Sequence, residues 1–202
     1  IKSMSQASHY VEHIMISPSG RRFAFLHRWK STSGDIYARL YSCNHDGSNL
    51  YLLNDSGRMS HYCWLDDYQI FGWGGLNNSF SSLKRSGFIN HPVLNPLKLL
   101  YKKLINSNSI DGHNSLSSFV TGDSYIIFDD LSDNKKKISI NILNKDGHPS
   151  CNQHINNLVL TDTYPDTNSK VSFMLFNTKN EEVIILDTLN SLSHTDNTPF
   201  RC

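Results

Sequence analysis

The chain has 202 residues and a mass of 23.0 kDa, with 38% hydrophobic and 18% charged side chains, a size and apolar content that fit one folded domain and exclude a disordered segment. With 19 Lys and Arg against 18 Asp and Glu, the formal charge is +1, which removes the basic footprint of a protein that tracks phosphate backbones, so nucleic acid is not an expected partner. No apolar run approaches the ~20 residues needed to cross a bilayer, so no membrane span is expected.

The first segment reads as four short strands. His13-Ile14-Met15-Ile16-Ser17 is apolar, Pro18-Ser19-Gly20 is a tight turn, and Arg21 to His27 forms the second strand. Ile36 to Cys43 alternates, with Ile36, Ala38, Leu40 and Ser42 on one face and the tyrosines on the other. Asp46-Gly47 supplies hairpin chemistry, and Asn49 to Leu53 closes the sheet. Four short strands in about 40 residues make the unit of a β-propeller blade.

A second unit starts at Ser60-His61-Tyr62-Cys63-Trp64-Leu65, turns at Asp66-Asp67 and continues through Tyr68 to Trp73. After Gly74-Gly75 the pattern lapses. Pro96 to Ile105 reads as a helix, because Leu97, Leu100, Tyr101 and Leu104 share a face and Pro96 stands where a helix can begin. Tyr125 to Asp129 and Lys136 to Leu143 either finish the sheet begun at His61 or belong to a separate blade around Asp111-Gly112-His113. The third unit opens at Asp146-Gly147-His148-Pro149-Ser150 and runs through Asn157–Asp162, Lys170–Phe176 and Glu182–Leu186. The expected fold is therefore all-β. It is a partial propeller of three four-stranded blades, near residues 9–55, 60–145 and 146–190, with a helical insertion at 76–122 inside the second. The start at Ile1 without an initiator Met, and the stop at Arg201-Cys202, lead to the expectation of a chain truncated at both ends.

Cys43, Cys63, Cys151 and Cys202 show neither zinc-site spacing nor the density of a secreted disulfide scaffold. Reduced thiols point to the cytoplasm, with the periplasm left open. Gly72-Trp73-Gly74-Gly75 lacks the following helix that a dinucleotide fingerprint requires.

Ile16-Ser17-Pro18-Ser19-Gly20-Arg21-Arg22-Phe23-Ala24-Phe25 resembles the S-P-D-G-K-x-apolar-A-F signature of TolB-like propellers, with Ser19 in place of Asp. Asp146-Gly147-His148-Pro149-Ser150, followed by Thr161-Asp162-Thr163-Tyr164-Pro165-Asp166, is similar to stretches of bacterial polysaccharide-associated proteins related to oligogalacturonate lyase. Arg201-Cys202 resembles the start of a further motif of that family. The resemblance covers the chain except about residues 77–122.

In a propeller the first strand of each blade lines the central channel. His13, His61 and His148 stand near the start of that strand in the three units, and neutral imidazoles on one axis suit a divalent ion. The resemblance implies manganese as that ion and β-elimination on a uronate-containing oligosaccharide or polysaccharide as the reaction. His113 is a reserve ligand if four blades form. Arg28 is the candidate catalytic cation, because a guanidinium grips a carboxylate in a two-pronged contact. Trp64, Asp162, Tyr164 and Arg201 are candidate substrate contacts, and His9, Glu12, Tyr10 and Tyr62 stand near the same rim. The alternative is a non-catalytic propeller that presents its loops to a protein or glycan partner.

Overall fold

The computed structural model describes residues 8–30, 36–76, 122–152, 154, 155 and 157–191. The expected helix at Pro96 to Ile105, the insertion around it, His113 and Arg201 lie outside the described residues. Among the described residues the protein is all β, in three four-stranded antiparallel sheets whose strands follow chain order. This is a propeller-like architecture. No helix among the described residues is long and apolar enough to cross a membrane.

The first sheet holds β1 (Ser8–Ile16), β2 (Arg22–Lys30), β3 (Ile36–Asn44) and β4 (Tyr51–Gly57). The second holds β5 (Met59–Trp64), β6 (Gln69–Gly75), β7 (Asp123–Asp129) and β8 (Lys135–Lys137), so strands on either side of residues 77–121 pair directly, from Gln69 opposite Asp129 to Gly75 opposite Asp123. The third holds β9 (Ser150–Cys151), β10 (Leu158–Asp162), β11 (Lys170–Asn177) and β12 (Val183–Asn190). Several boundaries differ from the sequence reading, two of them near the site or the core. β1 begins at Ser8, so His9, Tyr10 and Glu12 belong to the strand rather than to a connecting segment. β8 stops at Lys137, although Ile138 and Leu143 are fully buried beyond it.

Burial explains the composition of each sheet. Ala24, Leu26, Ala38, Leu40 and Leu53 of the first sheet pack against Met59, Tyr62, Trp64, Ile70, Ile126 and Phe128 of the second. The other face of the second sheet presents Cys63, Phe71, Trp73, Tyr125 and Ile127 to Val159, Met174 and Phe176 of the third. A sheet covered on both faces has no polar side to its strands. Hence the unbroken runs Tyr62-Cys63-Trp64 and Tyr125-Ile126-Ile127-Phe128, against the clean alternation of Ala38, Leu40 and Ser42 on the outer first sheet.

Gly72 and Gly74 are the positions where β6 must lack side chains. A Cβ on Gly72 would meet Tyr62 Cβ at 2.7 Å, and one on Gly74 would meet the Arg58 carbonyl oxygen at 2.5 Å. The glycine-rich stretch thus serves strand packing.

Polar side chains tie the sheets together where the cores end. Asp130, at the close of β7, is ion-paired with Arg22 of β2, and Arg22 also donates to Asn44 Oδ1 at 2.7 Å and Ser42 Oγ at 2.9 Å. Tyr125 and Thr161 join the second and third sheets through their hydroxyls at 3.0 Å. β1 touches β5 and β5 touches β9, so the three first strands run side by side.

Candidate functional site: a histidine–carboxylate cluster on the first strands

Period-two alternation would send His13 and His61 to fixed faces of their sheets, but both strands break register where these residues sit. The β1–β2 pairing jumps from Glu12 opposite Leu26 to Met15 opposite Ala24, and the β5–β6 pairing from Met59 opposite Gly74 to Tyr62 opposite Gly72. Each jump inserts one extra residue on the first strand, a β-bulge that re-aims the side chain it carries. His13 takes φ 52° to do so. Among the described residues it is the one non-glycine residue inside a strand with a left-handed backbone, a conformation that costs of order 1–3 kcal/mol.

The neighbouring sheet braces the β1 bulge. Tyr62 donates its hydroxyl to the carbonyl of His13, and Trp64 Nε1 donates to the carbonyl of Met15 at 3.2 Å. Burial drives the Tyr62 phenol well above its ordinary range, so it remains a donor.

His148 stands two residues ahead of β9, in line with Asp162 by the register that pairs Ser150 with Leu160. The Asp162 carboxylate accepts the His148 backbone N–H at 2.7 Å and also meets ring Nδ1 at 2.9 Å. Gly147 permits this, since a Cβ there would lie 1.8 Å from the Asp162 carbonyl oxygen.

The three histidines, from β1, β5 and the segment leading into β9, form a chain. The ring centroids of His13 and His61 are 5.4 Å apart, edge to face, and those of His61 and His148 are 4.5 Å apart. Tyr164 closes the end of the chain, 5.4 Å from His148 and 6.1 Å from His61. Each imidazole turns Nδ1 to a carboxylate: His13 to Glu12 at 3.2 Å, His61 to Asp146 at 3.3 Å, His148 to Asp162. That arrangement fixes the tautomer of a ligating or acid–base histidine and leaves Nε2 as its working nitrogen. Among the described residues, however, no group of three His, Cys, Asp or Glu side chains is set to hold one metal ion.

Arg28 Nε lies 2.6 Å from Glu12 Oε1 in an ion pair, so one carboxylate stands between Arg28 and His13. Burial lowers the His13 pKa, Glu12 opposes that shift, and His61 and Arg28 add to it. Of the expected substrate contacts, Tyr164 is exposed beside the cluster and Asp162 holds His148. Trp64 is 6% exposed within the core shared by the first two sheets. Asp146 is the residue to which the sequence reading assigned no role. Its position two residues before His148 is visible in the sequence, but its partner His61 lies on another sheet.

No protein-family model matches the chain, and no curated protein matches it. Among solved structures, it is similar to the acylaminoacyl peptidase of Pyrococcus horikoshii, at 11% identity over 89% of this chain and 26% of that one, with a TM-score of 0.48. It is also similar to the AtxE2 isopeptidase in its apo form, at 11% identity over 88% of this chain and 33% of that one, with a TM-score of 0.33. The chain thus spans a third or less of the length of these two proteins.

Proposed function

We propose that the chain is a carbohydrate-active, propeller-type protein whose histidine cluster handles a uronate-containing oligosaccharide and cleaves it by β-elimination. The observation that carries the reading is the gathering of His13 of β1, His61 of β5 and His148 of the segment before β9, each beside a carboxylate. The strained backbone at His13 supports it, because strain persists where the surrounding structure is organised around a site.

In this reading His148, the most exposed of the three, is the base. Asp162 holds its Nδ1, and Nε2 takes the proton from the carbon beside the uronate carboxylate. The electron pair forms the carbon–carbon double bond as the bond to the leaving sugar oxygen breaks, and water protonates that oxygen. Tyr164 packs against the sugar ring. The terminal nitrogens of Arg28 contact the uronate carboxylate while Nε stays on Glu12.

With neutral imidazoles, Glu12, Asp146 and Asp162 outweigh Arg28, so an acidic sugar needs a further cation here. For a manganese-type ion speak this negative excess and the three backed imidazoles. Against it stands the lack, among the described residues, of three donors set round one point, and no step above passes through a metal. Bound through Nε2 of His13 or His61, with His148 left free as the base, such an ion would neutralise the substrate carboxylate and acidify the neighbouring proton.

The same lack favours a second reading, a non-catalytic platform for a glycan or protein partner, in which the carboxylate–histidine pairs clasp the three sheets. The test incubates the chain with uronate oligomers, with manganese and with chelator, and follows the ultraviolet absorbance of the unsaturated product. Absorbance that grows with wild type and vanishes in His148→Gln supports the lyase. No product under either condition overturns it, and saturable oligomer binding without product establishes the platform.

A further inference from the structure

A second polar site lies apart from the histidines, on the outer strands where the second and third sheets meet. The cleft there holds about 480 Å³ and is lined by Lys135 and Lys136 of β8, Lys179 in the turn after β11, Asn134, Asn157 and Thr178. That volume falls in the range of small-molecule sites, but the lining is unlike theirs in being polar, with Ile127 as its apolar part.

The charge is local. Lys136 Nζ is paired with Glu181 at 2.7 Å, and Asp129, the carboxylate of the lining, has Oδ1 occupied by Gln69 Nε2 at 2.7 Å. Among the described residues neither Lys135 nor Lys179 has an ion pair, and with Lys136 matched by Glu181 these two ammonium groups exceed the single Asp129 carboxylate of the lining, in a chain whose formal charge is only +1. The walls are pinned. The Thr178 backbone N–H donates to the Asn157 carbonyl at 2.8 Å, and Asn157 takes φ 69° to present it.

Lysines along β8 also serve to guard a sheet edge against pairing with another chain. Edge protection accounts for Lys135, Lys136 and Lys137, but it does not account for Lys179, which arrives from the third sheet, or for the amides and hydroxyl beside it.

We propose that this cleft binds a compact polyanion of the phosphate-ester class, its oxygens held by Lys135 and Lys179 and by the Asn134, Asn157 and Thr178 side chains. Ammonium groups serve such oxygens as mobile point charges, and amides and hydroxyls complete the shell. The probe is inorganic pyrophosphate, titrated calorimetrically into the whole chain at constant ionic strength. Saturable binding is expected, weakened about tenfold or more in the Lys135→Ala, Lys179→Ala double variant. Lys137→Ala removes one like charge from the strand of Lys135 but outside the cleft and is expected to weaken binding less than about twofold. All three side chains are exposed, so unchanged unfolding midpoints should show that each variant folds. Absence of saturable binding at millimolar pyrophosphate, or an equal loss in Lys137→Ala, overturns the proposal.

Discussion

His148 meets Asp162 twice, through its backbone N–H at 2.7 Å and its ring Nδ1 at 2.9 Å. One carboxylate therefore replaces a backbone pairing partner and orients the imidazole. Asp162→Ala leaves both groups to water in place of that acceptor and is expected to cost about 0.5–1.5 kcal/mol of stability. Asp162→Asn keeps an oxygen for the N–H and should cost less. Urea unfolding of the two variants measures the order.

Gly147 makes that contact sterically possible. Gly147→Ala would put a methyl carbon 1.8 Å from the Asp162 carbonyl oxygen, so the segment before β9 must move. The expected loss is above about 2 kcal/mol, and the His148 ring resonances should shift with it. A variant as stable as wild type, with those resonances in place, would contradict the packing described.

Arg22 and Asp130 form a nearly buried pair, with side chains 10% and 3% exposed. Asp130→Ala strands a guanidinium whose other partners, Asn44 and Ser42, carry no charge. A loss of about 3–5 kcal/mol is expected. Arg22→Met with Asp130→Leu should recover much of it in the same unfolding assay, because replacing both charges by apolar groups removes the stranded ion.

His27 gives the fold a pH dependence of known sign. Burial, with His9 and Arg39 adding to it, holds its pKa below 6.5. Between the folded and unfolded pKa values the unfolded chain binds more protons, so this contribution is complete above 6.5 and is lost as the pH falls through the folded value. An NMR titration should place the His27 midpoint below 6.5, and His9→Ala should move it upward.

Much of the fold was legible because strand burial leaves a local trace. Alternation marked β3, and Pro18-Ser19-Gly20 and Asp46-Gly47 marked the turns that join β1 to β2 and β3 to β4. The pairing of β6 with β7 is different in kind. Gln69 and Asp129 are distant in sequence, and adjacent strands leave no local record of which distant strand they choose.

The histidines were legible as a repeated position, while their partners were not. Asp146 meets His61 across two sheets, and such a contact exists only once the sheets are packed. The bulges at His13 and His61 escaped because an inserted residue in an apolar strand looks like any other member of the run. Trp64 was misleading for a related reason: an aromatic residue near a rim looks the same in sequence whether its ring faces a ligand or, as here, the neighbouring sheet.

The two bulges also bear on how the molecule breathes. A bulge removes rungs from the hydrogen-bond ladder, so the inner strands are least securely knitted at His13 and His61, while Ala24 and Leu26 lie opposite in full burial. Amide protons at the bulges should exchange with solvent through small local openings, long before the β2 core does. The strands that carry the histidines can thus yield locally to an incoming molecule without unfolding the sheets that hold them in place.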